Sequence, residues 1–356
     1  MASDVLCLRP EADFARVDAL PPASLKVSYA KPDDPALPQR MQAAAALVIP
    51  AVGPKLAAAL FEGCRLGLVQ ITGAGLDRLD ESALTRLGIP VANVPGASNS
   101  AVAEYAVTAA SMLLRRMAWA DSEISQGHYV DFRARMLADN LPGLEGLLVG
   151  VVGFGTIGTA VAQAFQRMGC RIGFYDPAPR DVAAVQALGA RSMSLRELLT
   201  AADVVTLHVP LIAATRGMIG EAELAAMKPG AVLVQAARGG IVDEAALARH
   251  LASGHLGGAA VDVYSTEPPG ADNPLLTLAG EGARRLLLTP HIRRRHAPIF
   301  GAALPLRLAE CRAGPGARRA AAPWRLLRCV QARWKPRAGC AVAARPLANS
   351  SARWRA

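Results

Sequence analysis

A glycine-rich turn between an apolar strand and a helix constrains the fold of this chain more than any other feature. The run Gly153-Phe154-Gly155-Thr156-Ile157-Gly158 has glycines at the spacing GxGxxG. An apolar stretch, Leu147–Val152, precedes the run, and a helical pattern, Thr159–Met168, follows it. The first glycine permits a tight turn, the second lets a phosphate approach the backbone, and the third allows the helix to pack closely on the strand. This context predicts a dinucleotide site at the helix N-terminus, with a purely structural glycine turn as the alternative.

An acidic residue after the next strand indicates which dinucleotide is bound. Asp176 follows the predicted strand Arg171–Tyr175. A carboxylate at this place accepts hydrogen bonds from both hydroxyls of the adenosine ribose and repels a 2′-phosphate. The sequence therefore favours NAD over NADP, and Arg180, close by in the chain, keeps NADP open as an alternative.

The alternation of strands and helices predicts the fold class. Beyond the turn, apolar strands are expected at Val204–Val209, Ala231–Val234, Ala259–Val263 and Arg285–Leu288. Before it, we expect strands at Ala46–Ile49 and Leu66–Ile71, helices at Lys55–Glu62 and Glu81–Leu87, and a long helix from Ser98 to about Ala120. Repeated β-α-β units form a parallel, doubly wound α/β sheet, and loops that follow its strands lie at the ligand-binding edge.

Composition argues against several other classes of protein. The 356 residues are enough for two domains, and an apolar content of 52% supports a large core. No apolar stretch is both long and uncharged enough for a membrane span, and the acidic N-terminus is unlike a secretory signal, so we expect a cytoplasmic protein. The six cysteines show no metal-ligand spacing, so we expect reduced thiols and no metal.

The net charge of +10 comes from one end of the chain. Residues 293–356 hold 15 of the 39 Lys and Arg residues but only one of the 29 acidic residues, so the body is mildly acidic. Three of the four tryptophans lie in the same segment. Nucleic-acid binding by the body is therefore not favoured, and the tail needs a separate interpretation.

Three further segments lie at or just past the ends of predicted strands. They are Ala236-Ala237-Arg238-Gly239-Gly240, Asp262-Val263-Tyr264-Ser265-Thr266-Glu267-Pro268 and Leu288-Thr289-Pro290-His291-Ile292. Taken singly, each has an ordinary structural explanation. Together, in this order behind the glycine turn, they resemble the D-isomer-specific 2-hydroxyacid dehydrogenases, which include phosphoglycerate, glycerate and hydroxypyruvate/glyoxylate dehydrogenases. The resemblance runs from about Ala46 to Ile292 and includes the loop Thr72–Asp77.

The resemblance implies a set of catalytic and binding residues. Arg238 would hold the substrate's carboxylate and carbonyl oxygen, His291 would exchange a proton with that oxygen, and Glu267 would orient His291 and favour its imidazolium form. Backbone N–H groups of Ala74 and Gly75 would bind the substrate carboxylate. The residues implied for NAD are Gly153, Gly155, Thr156, Ile157, Gly158, Asp176, His208, Val209, Pro210, Ala236 and Asp262, the last two at the nicotinamide carboxamide.

The resemblance also implies an architecture. We expect a Rossmann-type doubly wound parallel sheet inserted in a second, smaller flavodoxin-like α/β substrate domain. The substrate domain is expected at residues 1–98, the NAD-binding domain at 99–288, a remnant of the returning substrate segment at 289–312 and an atypical basic tail at 313–356. A homodimer is expected from the family and from the apolar face of the helix after Ser98. Gln235 and Ile212 replace residues frequent in the family, without affecting the three catalytic positions.

The segment after Ile292 departs from the family, which continues with a small-residue loop and a long helix that returns to the substrate domain. Three interpretations stay open. In the first, the tail is a basic arm, because Arg and Trp together can bind phosphates and stack on bases. In the second it is a genuine extension, and in the third it is an out-of-frame translation. We wrote Arg293–Phe300 in GC-rich codons of our choice and removed the first nucleotide, and the shifted codons translate as Ala-Gly-Val-Thr-Arg-Arg-Ser. Family sequences continue in this way after the catalytic histidine and the residue that follows it. A frameshift near Ile292 is therefore favoured over a basic arm.

The function that the resemblance predicts is the NAD-dependent interconversion of a small D-2-hydroxyacid and its 2-oxoacid. Two alternatives stay open: an NAD-sensing binding protein similar to the corepressors of this family, and a catalytically impaired remnant with a frameshifted C-terminus. Because His291 lies one residue before the suspected break, we expect NAD binding to survive better than turnover.

Overall fold

The computed structural model describes residues 4–16, 20–73, 75–94, 96, 98–139, 141–178 and 180–292, which all lie in one unit of the chain, Met1–Arg312. The basic tail, most of the expected remnant at 289–312, and Ala74 lie outside the described residues. Within them, Cys7, Cys64 and Cys170 are free thiols.

The elements alternate between strands and helices along most of the chain. The strands are β1 Val5–Cys7, β2 Val27–Tyr29, β3 Ala46–Ile49, β4 Leu68–Ile71, β5 Val91–Ala92, β6 Leu148–Val152, β7 Arg171–Tyr175, β8 Arg191–Ser192, β9 Val204–Leu207, β10 Val232–Gln235, β11 Gly258–Val261 and β12 Leu286–Leu288. The α-helices are α1 Glu11–Ala15, α2 Leu37–Ala43, α3 Glu81–Arg86, α4 Asn99–Leu114, α5 Met117–Ser125, α6 Tyr129–Ala138, α7 Thr156–Arg167, α8 Val182–Ala187, α9 Leu195–Ala201, α10 Glu221–Ala226, α11 Glu244–Ala252 and α12 Gly280–Arg284.

The strands form two parallel sheets. The smaller sheet has the order β2-β1-β3-β4-β5, and the larger has the order β12-β11-β10-β9-β6-β7-β8. In the larger sheet the strand order reverses between β6 and β9, and the crevice outside the carboxyl ends of such strands is where open α/β sheets bind ligands. The predicted parallel, doubly wound α/β fold is confirmed.

Helices cover both faces of the larger sheet. On one face, Val149 and Val151 of β6 belong to a core cluster with Val161 and Phe165 of α7, and all four side chains are fully buried. On the other face, Val152 packs in a second cluster that includes residues of α9 and α11. Because parallel strands are buried on both faces, they read as unbroken apolar runs, and this explains why β6 and β9 were found from the sequence.

The expected helix at Lys55–Glu62 is a single 3-10 turn, Ala58–Phe61. Its first residues are not helical because the Leu56 backbone N–H donates to the carbonyl of Arg78, 2.9 Å away, in another loop. Gly63, at a φ of +73°, ends the turn. A tertiary hydrogen bond has therefore overridden the local helical pattern.

The long helix expected from Ser98 to about Ala120 is wrong beyond Leu114. The chain makes α4, leaves the helical conformation at Arg116, whose φ is +50°, and begins α5 at Met117. Arg116 pairs with Asp139 at the end of α6 and lies 5.2 Å from the ring centre of Trp119. The contacts with Asp139 and Trp119 hold Arg116 in a conformation that a non-glycine residue rarely adopts.

Candidate functional site

The glycine turn lies at the carboxyl end of β6 and packs tightly on its neighbours. A Cβ added at Gly158 would lie 2.0 Å from the carbonyl oxygen of Gly153, so helix α7 approaches the strand more closely than any side chain allows. Gly153 has a φ of +90°, and a Cβ there would lie 2.6 Å from the carbonyl oxygen of His208. The turn is therefore held against β9 by backbone contacts that only glycine permits.

Gly155 has the opposite surroundings. A Cβ added there would meet no atom within 4 Å, so this backbone faces open space directly before α7, which begins at Thr156. The first N–H groups of a helix have no partners within it and carry the positive end of its dipole. Gly155, Thr156, Ile157 and Gly158 thus form an open cradle whose chemistry fits the pyrophosphate of a dinucleotide.

Asp176 lies just after β7 and contacts the turn itself. Its Oδ2 accepts a hydrogen bond from the Phe154 N–H at 2.7 Å and pairs with the Arg180 guanidinium at 2.5 Å, while Oδ1 accepts from the Ala178 N–H at 2.9 Å. Burial raises the pKa of the Asp176 carboxyl, but the hydrogen bonds from Arg180, Ala178 and Phe154 outweigh burial and lower this pKa below its ordinary value. The group is therefore an anion at neutral pH, and an acceptor position on Oδ1 is left for a ribose hydroxyl.

Arg238 joins the loops of the two sheets. It follows β10, and its Nε donates to Oδ2 of Asp77 at 2.6 Å while its Nη1 donates to the Ala237 carbonyl at 2.8 Å. A Cβ added at Gly75 would lie 2.0 Å from Nη2, so the guanidinium lies directly against the backbone of this loop after β4. The predicted substrate residues Arg238 and Gly75 are thus brought together, and Asp77 is a partner that the sequence interpretation did not include.

Asp77 was within reach of sequence reasoning. It ends the loop Thr72–Asp77 on which the family resemblance partly depends, yet no charge pattern connects it with Arg238, 161 residues later. The expectation that Gln235 does not affect the catalytic positions is wrong, because its side-chain amide donates to the Arg238 carbonyl at 2.8 Å and its amide oxygen accepts from the Ala237 N–H. Gln235 therefore holds the turn that presents Arg238.

His291 and Glu267 form a pair at the same edge of the sheet. Nδ1 of His291 lies 3.0 Å from Oε2 and 3.2 Å from Oε1 of Glu267. The carboxylate also accepts a hydrogen bond from the Tyr264 backbone N–H at 3.2 Å. Since Glu267 engages Nδ1, the imidazole presents Nε2 as the nitrogen for proton exchange.

The remaining predicted residues surround the ends of β9, β10 and β11. His208 follows β9, where its backbone N–H donates to the Val152 carbonyl and its Nε2 lies 2.8 Å from the Thr206 hydroxyl, and Val209 and Pro210 come next. Ala236 and Asp262, which follow β10 and β11, are both buried. Asp262 Oδ1 accepts hydrogen bonds from Thr289 Oγ1 at 2.6 Å and from the Ile292 N–H at 2.8 Å.

Among the residues that the structure describes, no three His, Cys, Asp or Glu side chains lie close enough together to hold a metal ion. In the same part of the chain, none of the helices combines the length and hydropathy needed to cross a membrane.

Comparisons with known proteins show which family this chain resembles. Residues 107–292 match the family model of the D-isomer specific 2-hydroxyacid dehydrogenase NAD binding domain. A D-3-phosphoglycerate dehydrogenase from Archaeoglobus fulgidus is 37% identical over 227 residues, which cover 64% of this chain and 41% of that protein. An (S)-sulfolactate dehydrogenase from Chromohalobacter salexigens is 40% identical over 221 residues, which cover 62% of this chain and 68% of that protein.

Solved structures show the same similarity. A D-lactate dehydrogenase from Treponema pallidum superposes with a TM-score of 0.69 at 26% identity, covering 86% of this chain and 95% of that one. A D-mandelate dehydrogenase from Rhodotorula graminis has a TM-score of 0.68 at 26% identity and covers 84% of this chain and 90% of that one. This chain spans only about 41% of the length of the phosphoglycerate dehydrogenase from Archaeoglobus fulgidus.

Proposed function

Because this chain belongs to the D-isomer specific 2-hydroxyacid dehydrogenase family, we propose that it interconverts a D-2-hydroxyacid and the corresponding 2-oxoacid, with NAD as its cofactor. One observation carries the proposal. The sheet edge that holds the open glycine turn also presents the Arg238 guanidinium beside Gly75 and the His291–Glu267 pair. Besides a hydride, the reduction of a 2-oxoacid needs a cation that binds the substrate carboxylate and a group that donates a proton to the carbonyl oxygen. Arg238 would be that cation, and the imidazole of His291 would donate the proton.

Each residue has a role that follows from its surroundings. The bound cofactor would exchange a hydride with the substrate carbon that carries the oxygen, as NADH in reduction and as NAD in oxidation. Arg238 binds and orients the 2-oxoacid through charge-assisted hydrogen bonds to its carboxylate and carbonyl oxygen, and the backbone N–H of Gly75, beside the guanidinium, binds the same carboxylate. His291 gives a proton from Nε2 to the carbonyl oxygen during reduction and takes the hydroxyl proton during oxidation, while Glu267 keeps the Nδ1 proton in place.

The cofactor residues divide between the two ends of the dinucleotide. We assign the pyrophosphate to the cradle, which Gly153 holds in place, and the adenosine ribose to Asp176. At the other end, the chain after β9 (His208, Val209 and Pro210) lines the path to the nicotinamide, and Ala236 and Asp262 face its carboxamide. The anionic Asp176 supports NAD over NADP, because its negative charge repels a 2′-phosphate and its pairing with Arg180 occupies the nearby cation.

The substrate class is limited to what the related proteins share. Their names refer to phosphoglycerate, sulfolactate and lactate, which have a 2-hydroxyacid group in common and differ beyond it. Arg238, Gly75 and His291 would contact only that common group.

A cytoplasmic location and the domain boundaries at residues 98, 288 and 312 stay predictions.

The experiment that tests this function combines binding with turnover in the full chain. Titration should show NAD binding, with NADP weaker by about tenfold or more, since a like-charge contact costs roughly 1.4 kcal/mol or more at this range. Oxidation of NADH should follow addition of glyoxylate or hydroxypyruvate. Arg238→Ala should lower kcat/KM by about a hundredfold, because two charge-assisted hydrogen bonds are lost.

The matched control is Arg249→Ala, which removes an exposed arginine that pairs with Glu221. It should leave kcat/KM unchanged. NAD binding without turnover of any 2-oxoacid would contradict the enzymatic proposal and favour the NAD-sensing protein or the impaired remnant.

We also propose a homodimer, but not through the helix first expected to form it. The apolar face of α4 packs against α7 and the larger sheet of its own chain, so α4 does not offer that face to a partner. Exposed apolar side chains lie instead on α5 and α6, where Val130 is 75% and Leu137 64% exposed. We therefore expect the second copy to cover α5 and α6.

Light scattering should give twice the chain mass of 37.1 kDa, and a mass of one chain at micromolar concentration would rule the dimer out.

A further inference from the structure

The short loop that carries His291 is held on both sides by one buried carboxylate oxygen. Oδ1 of Asp262 accepts a hydrogen bond from the Thr289 hydroxyl at 2.6 Å and another from the Ile292 backbone N–H at 2.8 Å. These two donors lie two residues before and one residue after His291. The Asp262 side chain is fully buried, so it cannot exchange these donors for water without a structural change.

The hydrogen-bond directions around Thr289 follow from its single hydroxyl proton. A carboxylate only accepts, so Thr289 must donate that proton to Asp262. The Tyr105 hydroxyl, 2.8 Å from Thr289 Oγ1, must then be the donor in its own contact. A one-way chain therefore runs from Tyr105 on α4 through Thr289 to Asp262.

The backbone of Thr289 is held as well. Its N–H donates to the Val261 carbonyl at 3.0 Å, and its carbonyl accepts from the Tyr264 hydroxyl at 3.1 Å. Tyr264 also donates its backbone N–H to Glu267. The residues that hold the loop and the residue that holds the imidazole are thus connected through Tyr264.

Such support is needed because His291 has an unfavourable backbone conformation. Its φ is +55°, a left-handed conformation that a non-glycine residue rarely adopts and that persists only where the surroundings over-determine it. Glu267 holds the ring, but a ring contact alone does not fix the backbone. Asp262 and Thr289 supply the backbone anchors on each side.

We propose that Thr289 is a positioning residue, which with Tyr105 behind it ties the buried carboxylate of Asp262 to the loop that presents His291 to the substrate. The proposal rests on the proposed function for its catalytic consequence. It adds that Oδ1 of Asp262, through its two hydrogen bonds to the loop, sets the position of the acid–base group. The hydroxyl of Thr289, rather than its bulk, carries this role.

The test uses Thr289→Val, which keeps the shape and removes the hydroxyl, and Thr289→Ser, which keeps the hydroxyl. In the full chain, Thr289→Val should lower kcat for 2-oxoacid reduction by about tenfold to a hundredfold, since a shift of about 1 Å costs on the order of a hundredfold. KM should change little, because Arg238 and Gly75 bind the carboxylate independently. Thr289→Ser should restore kcat to near that of the wild type, and Tyr105→Phe should cost less than Thr289→Val.

Thr277→Val is the control. Thr277 is an exposed threonine on the same stretch of chain, and its hydroxyl reaches only backbone carbonyls, so kcat should not change. The proposal is overturned if Thr289→Val keeps wild-type kcat, if it raises KM alone, or if Thr289→Ser is as impaired as Thr289→Val.

Amide hydrogen exchange of residues 286–292 tests the loop without any turnover. In the unliganded chain, this segment should exchange faster in Thr289→Val than in the wild type, Thr289→Ser or Thr277→Val. If the wild-type chain reduces no 2-oxoacid, the proposed function fails, and the exchange rates still decide whether Thr289 holds the loop. Equal exchange in Thr289→Val and Thr289→Ser would overturn the proposal by itself.

Discussion

Replacement of His291 by asparagine is expected to lower kcat for 2-oxoacid reduction by about a hundredfold to ten-thousandfold. Asparagine retains a donor that can reach Glu267, so the loop keeps its contact, but it has no group that can give up and regain a proton at neutral pH. KM for the 2-oxoacid should change by much less than kcat, because Arg238 and Gly75 bind the carboxylate. Steady-state rates from NADH absorbance give both values.

A second histidine–glutamate pair in the same chain provides the matched control. Nε2 of His250 lies 2.7 Å from Oε1 of Glu221, and this pair joins α11 to α10, where we assign no substrate, cofactor or partner contact. His250→Asn should therefore leave kcat within about twofold, because this pair lies outside the proposed site and the proposed dimer surface. If His291→Asn retained wild-type kcat while NAD still bound, His291 would not be the acid–base group.

Replacement of Gly158 by alanine is expected to weaken NAD binding by about tenfold to a hundredfold and to destabilise the fold, since forcing an extra carbon into a packed site costs about 1–3 kcal/mol. The new Cβ would lie 2.0 Å from the Gly153 carbonyl oxygen and 3.0 Å from its carbonyl carbon, both backbone atoms that cannot rotate away. Alanine is the better helix former by about 1 kcal/mol, but this gain is smaller than the cost of moving α7 off the strand. Calorimetric titration with NAD and thermal unfolding measure the two effects.

Alanine variants of two other glycines show whether NAD binding is lost because the fold is strained or because the cofactor surface is blocked. Gly155→Ala places its Cβ in open space, so it should leave the unfolding temperature unchanged while still weakening NAD binding, because the space is where the pyrophosphate is expected. Gly220→Ala meets its nearest atom at an ordinary 3.5 Å, far from the turn in sequence, and should change neither property. Normal NAD affinity in both Gly158→Ala and Gly155→Ala would mean that the turn is not the cofactor site.

The strands that the sequence predicted in the two sheets lie within two residues of their ends in the structure, whereas β1, β2, β5 and β8 were not predicted. The expected ranges at Ala46–Ile49 and Arg171–Tyr175 match β3 and β7, since buried parallel strands leave a continuous apolar run. The helices were less well predicted where other parts of the chain intervene. The turn at Ala58–Phe61 and the break at Arg116 both depend on partners distant in sequence, Arg78 and Asp139.

The site residues divide in a similar way. Arg238, Glu267 and His291 were implied by the family resemblance of three segments that follow strands, and the parallel sheet brings such segments to one edge. Asp77, Tyr105 and Thr289 were given no role, although all three lie within stretches covered by the resemblance. Their significance comes only from what they touch: Asp77 contacts Arg238 across 161 residues, and Tyr105 contacts Thr289 across 184.

The glycine turn, the strands that lead to it and the acid at Asp176 were determined by the sequence alone, because turn geometry and strand burial leave local patterns that glycine spacing and apolar runs record. The tertiary structure decided how these parts work together. It placed Asp77 and Gly75 against Arg238, engaged Asp176 with Arg180 and the turn, and held the His291 loop to Asp262 through Thr289. These contacts arise from the packing of separate loops at one edge, and the energy of such packing depends on geometry in three dimensions that no local pattern encodes.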